Sequence, residues 1–205
     1  MSFRRIKYKI QHGMKLKVLF LNDNGFQYGA GIAQLRQMQS FLLLGHRIHS
    51  LRCHQGSLEK RIPFIPDQAT GAWYGMRQFP ELDGLKGVRQ DLIIPPVVEE
   101  IKRISPDIVV AGNLHGSGWP IGLLPAIHEC GCLVIAYMHD CHYITGRCTH
   151  PFSCRSFITG CDAKCSTAHE HPVLQLESIT DAWESRQKIF SQYPGIALVA
   201  NSRWT

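Results

Sequence analysis

The chain has 205 residues, 44% of them hydrophobic, which suits one domain with a real core or two small ones and excludes a disordered polypeptide. Lys plus Arg is 22 against 16 for Asp plus Glu, a formal charge of +6, but Arg4, Arg5, Lys7 and Lys9 carry four of those charges near the start. The rest is only slightly basic, which argues against a nucleic-acid partner, and the apolar run Val18-Leu19-Phe20-Leu21 is too short for a signal peptide or a membrane span. A cytoplasmic location is therefore expected.

Residues 1–14 read as a basic tail, with the fold expected over 15–205. Lys17-Val18-Leu19-Phe20-Leu21-Asn22 is β-branched and aromatic and ends in turn formers, as a buried strand does. From Ile32 the residues Leu35, Met38 and Leu42 recur at helical spacing, and Gly45 suits a left-handed C-terminal cap. Arg47-Ile48-His49-Ser50-Leu51 is the next strand, completing a right-handed βαβ unit.

Residues 53–94 lack periodicity and contain Pro63, Pro66, Gly71, Gly75, Pro80, Gly84 and Gly87, so loops with at most one short helix are expected. Pro95-Pro96 opens a helix with Val97, Ile101 and Ile104 on one face, and Pro106 ends it before the strand Asp107-Ile108-Val109-Val110-Ala111. A helix over 121–129 leads to the strand Leu133-Val134-Ile135-Ala136-Tyr137, apolar on both faces. After a Cys-rich insertion over about 141–170 come a helix at 179–192 and a strand at 196–200. This repeated order predicts an α/β fold, a three-layer sandwich around a parallel sheet.

Ligands bind outside the carboxyl ends of such strands. After the first strand come Asn22-Asp23-Asn24-Gly25 and Tyr28-Gly29-Ala30-Gly31, either a phosphate-approaching glycine loop or an ordinary turn. A dinucleotide fingerprint fits poorly, because Gln34 replaces its third glycine and Leu51-Arg52 its ribose-binding acid. Two later strands end in Asn113-Leu114-His115-Gly116 and His139-Asp140, and both imidazoles are expected to face one crevice. There each could bind a substrate hydroxyl or act as an acid-base group, or simply be satisfied by backbone.

Cys148, Cys154, Cys161 and Cys165 lie close together, with Cys141, His142 and His150 beside them. Four thiolates can close a tetrahedral zinc site, and a structural zinc would supply the folding free energy that an insertion with few large apolar residues lacks. Two disulfides or four separate thiols are the alternatives. Cys53, Cys130 and Cys132 have no special role in this reading.

The ordered set of segments resembles the N-terminal half of a family 4 glycosyltransferase of the GT-B fold. Its residues are the first strand through Asp23, Gly29-Ala30-Gly31-Ile32-Ala33, Leu44-Gly45-His46 and Ser105-Pro106-Asp107-Ile108-Val109. His139-Asp140, Ile144-Thr145-Gly146-Arg147-Cys148, Cys154, Thr159-Gly160-Cys161, Cys165 and Asn201-Ser202-Arg203-Trp204 are similar to a Cys-containing subgroup that builds bacterial exopolysaccharides.

The resemblance implies a Rossmann-like, acceptor-side domain and retaining transfer of a sugar from a nucleotide-sugar donor to a saccharide or lipid-linked acceptor, with no catalytic metal. It assigns Gly29, Ala30 and Gly31 to the donor phosphates, His139 to the transferring sugar, and Asn24, Asn113, His115 and Asp140 to substrate contacts. It also implies a C-terminal donor domain, expected to be absent here, and peripheral contact with the inner membrane face. The family's Gly-Gly is here Gly29-Ala30-Gly31, and its Cys-x-x-Cys-Pro is Cys161-Asp162-Ala163-Lys164-Cys165, one residue longer. A non-catalytic, zinc-stapled module binding a saccharide or nucleotide is the competing expectation.

Overall fold

The structure, a computed structural model, describes residues 3–23, 25–26, 28–52, 73–78 and 92–203. Asn24, Cys53 and Trp204 lie outside the described residues. The strands are β1 (Lys17–Asn22), β2 (Arg47–Arg52), β3 (Trp73–Gln78), β4 (Ile108–Ala111), β5 (Leu133–Met138) and β6 (Ile196–Ala200). The helices are α1 (Phe3–Gln11), α2 (Tyr28–Leu43), α3 (Ile94–Ile104), α4 (Leu123–Glu129), α5 (Ser156–Thr159) and α6 (Ile179–Gln192).

The strands form one sheet in the order β3-β2-β1-β4-β5-β6, and every pairing is parallel. β1 lies at the centre, with Val18 through Leu21 fully buried, as a strand covered on both faces must be. On one face Leu19, Leu21, Val109 and Ala111 pack with α3, α4 and α6 through Val97, Ile101, Leu124 and Ile189. On the other, Val18, Phe20 and Val110 pack with α1 and α2 through Ile6, Leu35 and Met38. This is the three-layer α/β sandwich of a Rossmann-like fold.

Two elements depart from the sequence expectation. The supposed tail contains α1, which buries Ile6 and fixes Lys9 Nζ to both carboxylate oxygens of Asp107, at 2.7 and 2.8 Å. Phe3, Ile6 and Ile10 stand at helical spacing among the basic residues, a period that a count of charges passes over. In the segment expected to be loops, β3 pairs with β2 with a register shift between Ile48 and Ser50. Gly75 and the lack of alternation hide this strand, whose pairing is templated by the edge of β2.

A third difference bears on the site. Helix α2 begins at Tyr28, so Gly29, Ala30 and Gly31 form its first turn and not a preceding loop. A Cβ on Gly31 would sit 2.3 Å from the Gly25 carbonyl oxygen, so only glycine fits where the β1–α2 connection crosses the helix. The far end closes as expected, with Gly45 at φ 80° and the His46 N–H donating to the Phe41 carbonyl at 3.0 Å.

The Lys9–Asp107 pair gives α1 a measurable role. Lys9→Met should lower the unfolding free energy by about 1–3 kcal/mol, because Asp107, 3% exposed, loses its charged donor. An unchanged urea midpoint would show that α1 is not pinned by this contact.

Candidate functional site

The sheet order reverses between β1 and β4, which opens a crevice at their carboxyl ends. Asn22 ends β1 and accepts the Asn113 backbone N–H through Oδ1 at 2.8 Å, while the Asp23 N–H donates to the Asn113 carbonyl at 2.9 Å. Asp23 also accepts the Ser117 N–H at 3.1 Å. These bonds fix the loop after β4, and the Tyr143 hydroxyl holds it from above by donating to the Gly112 carbonyl.

Gly112 is where the polar groups converge. A Cβ there would lie 2.7 Å from Asn22 Oδ1, 3.1 Å from Gln34 Nε2 and 3.4 Å from His139 Nε2. Gln34 occupies the place of a fingerprint glycine because its buried amide donates to the Leu21 carbonyl at 3.2 Å. His139 Nε2 is buried with no hydrogen-bond partner among the described residues. Burial pushes the His139 pKa down, with the Asp140 carboxylate opposing it, so the ring is neutral near pH 7 and keeps one nitrogen as acceptor. The first turn of α2 adjoins this end of the sheet, and the space around Gly29 is open within 4 Å of a would-be Cβ.

His115 lies elsewhere. It lines a cavity of about 480 Å³ between the loop after β4, the Cys-rich insertion and α6, a cavity that His139 does not line. Its Nε2 is 3.5 Å from Asp140 Oδ2, and its ring lies 4.5 Å from that of His142, centroid to centroid. Burial lowers the His115 pKa and Asp140 partly restores it. The expectation of one crevice for both imidazoles is thus corrected. Strand β5 buries Val134, Ala136 and Met138 on one face and turns Leu133, Ile135 and Tyr137 to the other. Continuing that alternation sends His139 to the α1/α2 face and Asp140 to the opposite one.

Sequence reasoning missed most of the cavity. Arg147 and Arg186 are 3% and 7% exposed and line it with Trp119 and His171. Arg186 donates to the His142 carbonyl at 2.9 Å through Nε and to His142 Nε2 at 2.9 Å through Nη2. His142 must then carry its proton on Nδ1, which donates to the Arg147 carbonyl at 2.9 Å. Burial and the neighbouring guanidinium of Arg186 hold the His142 pKa well below the usual value. One signal was available: Arg186 sits on the face of α6 that carries Ile179 and Ile189, where a cation has no reason to be unless it has work inside.

The four cysteines gather in the insertion without forming a ligand set. Cys148 Sγ and Cys165 Sγ lie 3.6 and 3.7 Å from the Thr167 hydroxyl, and Cys161 Sγ accepts the Gly146 N–H at 3.3 Å. Burial raises the Cys161 pKa, and so would negative charge on Cys148, Cys154 or Cys165. Among the described residues, no group of three or more His, Cys, Asp or Glu side chains is arranged to hold a metal ion. Cys130 and Cys132 are thiols at the end of α4 whose pKa values burial raises, that of Cys132 to about 11.

No protein-family model matches the chain, and no curated protein matches it.

Several imidazoles are neutral by burial, so acid should destabilise the fold. His49 falls to about 4, chiefly by burial and then by the charges of Lys17 and Arg103, and His115, His139 and His142 are lowered too. Unfolded histidines take up protons near pH 6.5, so below that value the unfolded chain binds more protons than the folded one. The contribution is complete above about pH 6.5 and is lost as the pH falls through the folded values, toward about 4 for His49. Thermal melts should show Tm dropping across this window; a flat Tm would mean that these rings are already solvated.

Proposed function

We propose that the chain is the acceptor-side, Rossmann-like domain of a retaining glycosyltransferase that moves a sugar from a nucleotide-sugar donor to a saccharide or lipid-linked acceptor in polysaccharide biosynthesis. The observation that carries this reading is the buried, unpartnered Nε2 of His139 beside Asn22 and Gly112, at the reversal of strand order. A neutral imidazole there suits a hydrogen bond from a sugar hydroxyl. The first turn of α2, with Gly29, Ala30 and Gly31, would offer backbone N–H groups to the donor diphosphate. Leaving-group departure builds negative charge on that diphosphate and positive charge at the anomeric carbon, so oriented N–H dipoles stabilise the transition state. Asn113, beside Asn22, would contact substrate at the same reversal, and His115 would do so in the cavity with Asp140 Oδ2 at 3.5 Å from its Nε2.

The donor nucleotide would be held by a second Rossmann-like domain. Leu198 and Val199 of β6, 38% and 37% exposed, are apolar surface that a further domain would cover. Peripheral contact with an anionic membrane face belongs to the same reading, supported by exposed Tyr8 and Ile10 among Arg4, Arg5 and Lys7 on α1. No described helix is long and apolar enough to cross a membrane.

The test is sugar transfer from radiolabelled nucleotide-sugars by the product of the complete gene. Transfer with retention is expected, and His139→Ala should reduce kcat by about 100-fold or more. A product that transfers nothing, from a chain that still binds saccharide, would favour the non-catalytic module.

A structural zinc in the insertion is part of the proposal, held by Cys148, Cys154, Cys161 and Cys165 once the sulfurs close on it. Metal analysis should then find one zinc per chain and thiols shielded from alkylation; four freely titrating thiols and no zinc would remove it.

A further inference from the structure

We infer that the cavity between the loop after β4, the Cys-rich insertion and α6 binds a small organic oxyanion, a carboxylate or a phosphate ester, through Arg147 and Arg186. The two guanidinium groups are almost completely buried and line the same space of about 480 Å³, within the roughly 300–1,000 Å³ of small-molecule pockets. Among the described residues, every oxygen and nitrogen that accepts a hydrogen bond from either is neutral. Besides His142, Arg186 donates to the Ala182 carbonyl at 2.5 Å. Arg147 donates to the carbonyls of Glu170 and Pro172 at 2.6 and 3.1 Å and to the Thr167 hydroxyl at 3.3 Å, with Cys148 Sγ at 3.8 Å.

Among the described residues no carboxylate pairs with either arginine. The Asp140 carboxylate is engaged by the His142 backbone N–H at 2.9 Å and faces His115. Arg186 stays charged near pH 7, although burial brings its pKa down to about 10. Two buried cations that no described carboxylate pairs with are costly to a fold, and an anion entering the cavity lowers that cost.

The hydrogen-bond inventory points the same way. Arg147 Nε and Trp119 Nε1 are buried donors without partners, and both residues line the cavity. Unsatisfied donors call for an acceptor, and an oxyanion is acceptor-only. A metal cation would be repelled, and a neutral ligand would bring neither guanidinium a charged partner. The rest of the wall sets Trp119, Ile121, Tyr143 and Leu174 beside His115, His171 and Ser185, so the anionic group should be carried on a body with an apolar face and polar edges, such as a sugar ring.

The anion assignment stands on the cavity alone. That the anion belongs to a sugar acceptor rests on the transferase reading above and would make the acceptor an acidic or phosphorylated saccharide.

Calorimetric titration of the full chain with glucuronate, glucose 6-phosphate, glucose and inorganic phosphate tests it. At least one of the two sugar anions should bind about ten-fold or more tighter than glucose and than inorganic phosphate, and the tighter of them identifies the carboxylate or the phosphate ester as the natural group. Arg147→Gln should weaken that binding by about ten-fold or more. Should circular dichroism show this variant unfolded, Trp119→Phe keeps the wall, removes one donor and should still weaken binding by about three-fold or more. Glucose binding as tightly as both anions, inorganic phosphate binding as tightly as both, no binding of either sugar anion, or folded variants of unchanged affinity would each overturn the inference. Sugar transfer does not enter this titration, so its failure and failure of the transferase reading are separate results.

Discussion

β1 and β4 are clamped together at both ends by side chains, and the site depends on that clamp. At the amino ends Asp107 accepts the Lys17 N–H at 2.9 Å and binds Lys9 of α1, while Lys17 Nζ donates to the Ile104 carbonyl at 2.6 Å. At the carboxyl ends Asn22 Oδ1 accepts the Asn113 N–H, the Asp23 N–H donates to the Asn113 carbonyl, and Ser117 is tied to Asp23. Between them the strands pair in parallel from Val18–Ile108 to Leu21–Ala111. The chain leaves this pair in opposite directions, so the crevice at its carboxyl end is held from both sides by buried hydrogen bonds.

From that clamp the two faces of the sheet acquire different chemistry. On the α2 face the close approach allowed by Gly112 gathers Asn22, Gln34 and His139 into a neutral polar cluster. On the other face the Cys-rich insertion folds over the ends of β4 and β5 and brings Arg147 toward Arg186 of α6, with the His142 ring bonded to both residues. One face presents a neutral imidazole, the other two guanidinium groups. A ligand spanning the strand ends would meet a neutral ring at one end and positive charge at the other.

The insertion is therefore more than a decorated loop. Gly146 lies so close to Ile179 of α6 and to Cys161 that a Cβ there would be 2.8 and 2.9 Å from their side chains. The Trp183 indole N–H donates to the Phe157 carbonyl at 3.0 Å, and Arg147 reaches the carbonyls of residues 170 and 172. These contacts join three stretches of the insertion to α6, so the cavity wall and the cysteine cluster form one structural unit. Burial of a few polar side chains takes the place of an apolar core there.

The sequence alone determined the layers. Strands β1, β4 and β5 announce themselves by continuous apolar runs, and α3 and α6 by residues three and four apart, because burial on two faces or on one stripe leaves a periodic trace. It also placed Asn22, Asn113, His115 and His139 at strand ends, since topology alone puts them there. Only the tertiary structure decided which face each side chain joins, that α1 belongs to the core, and that β3 extends the sheet. The cavity was least legible, because its arginines are separated by 39 residues and their shared burial is a property of packing. Local sequence carries the period of an element; two buried guanidinium groups lining one cavity exist only once distant elements have met.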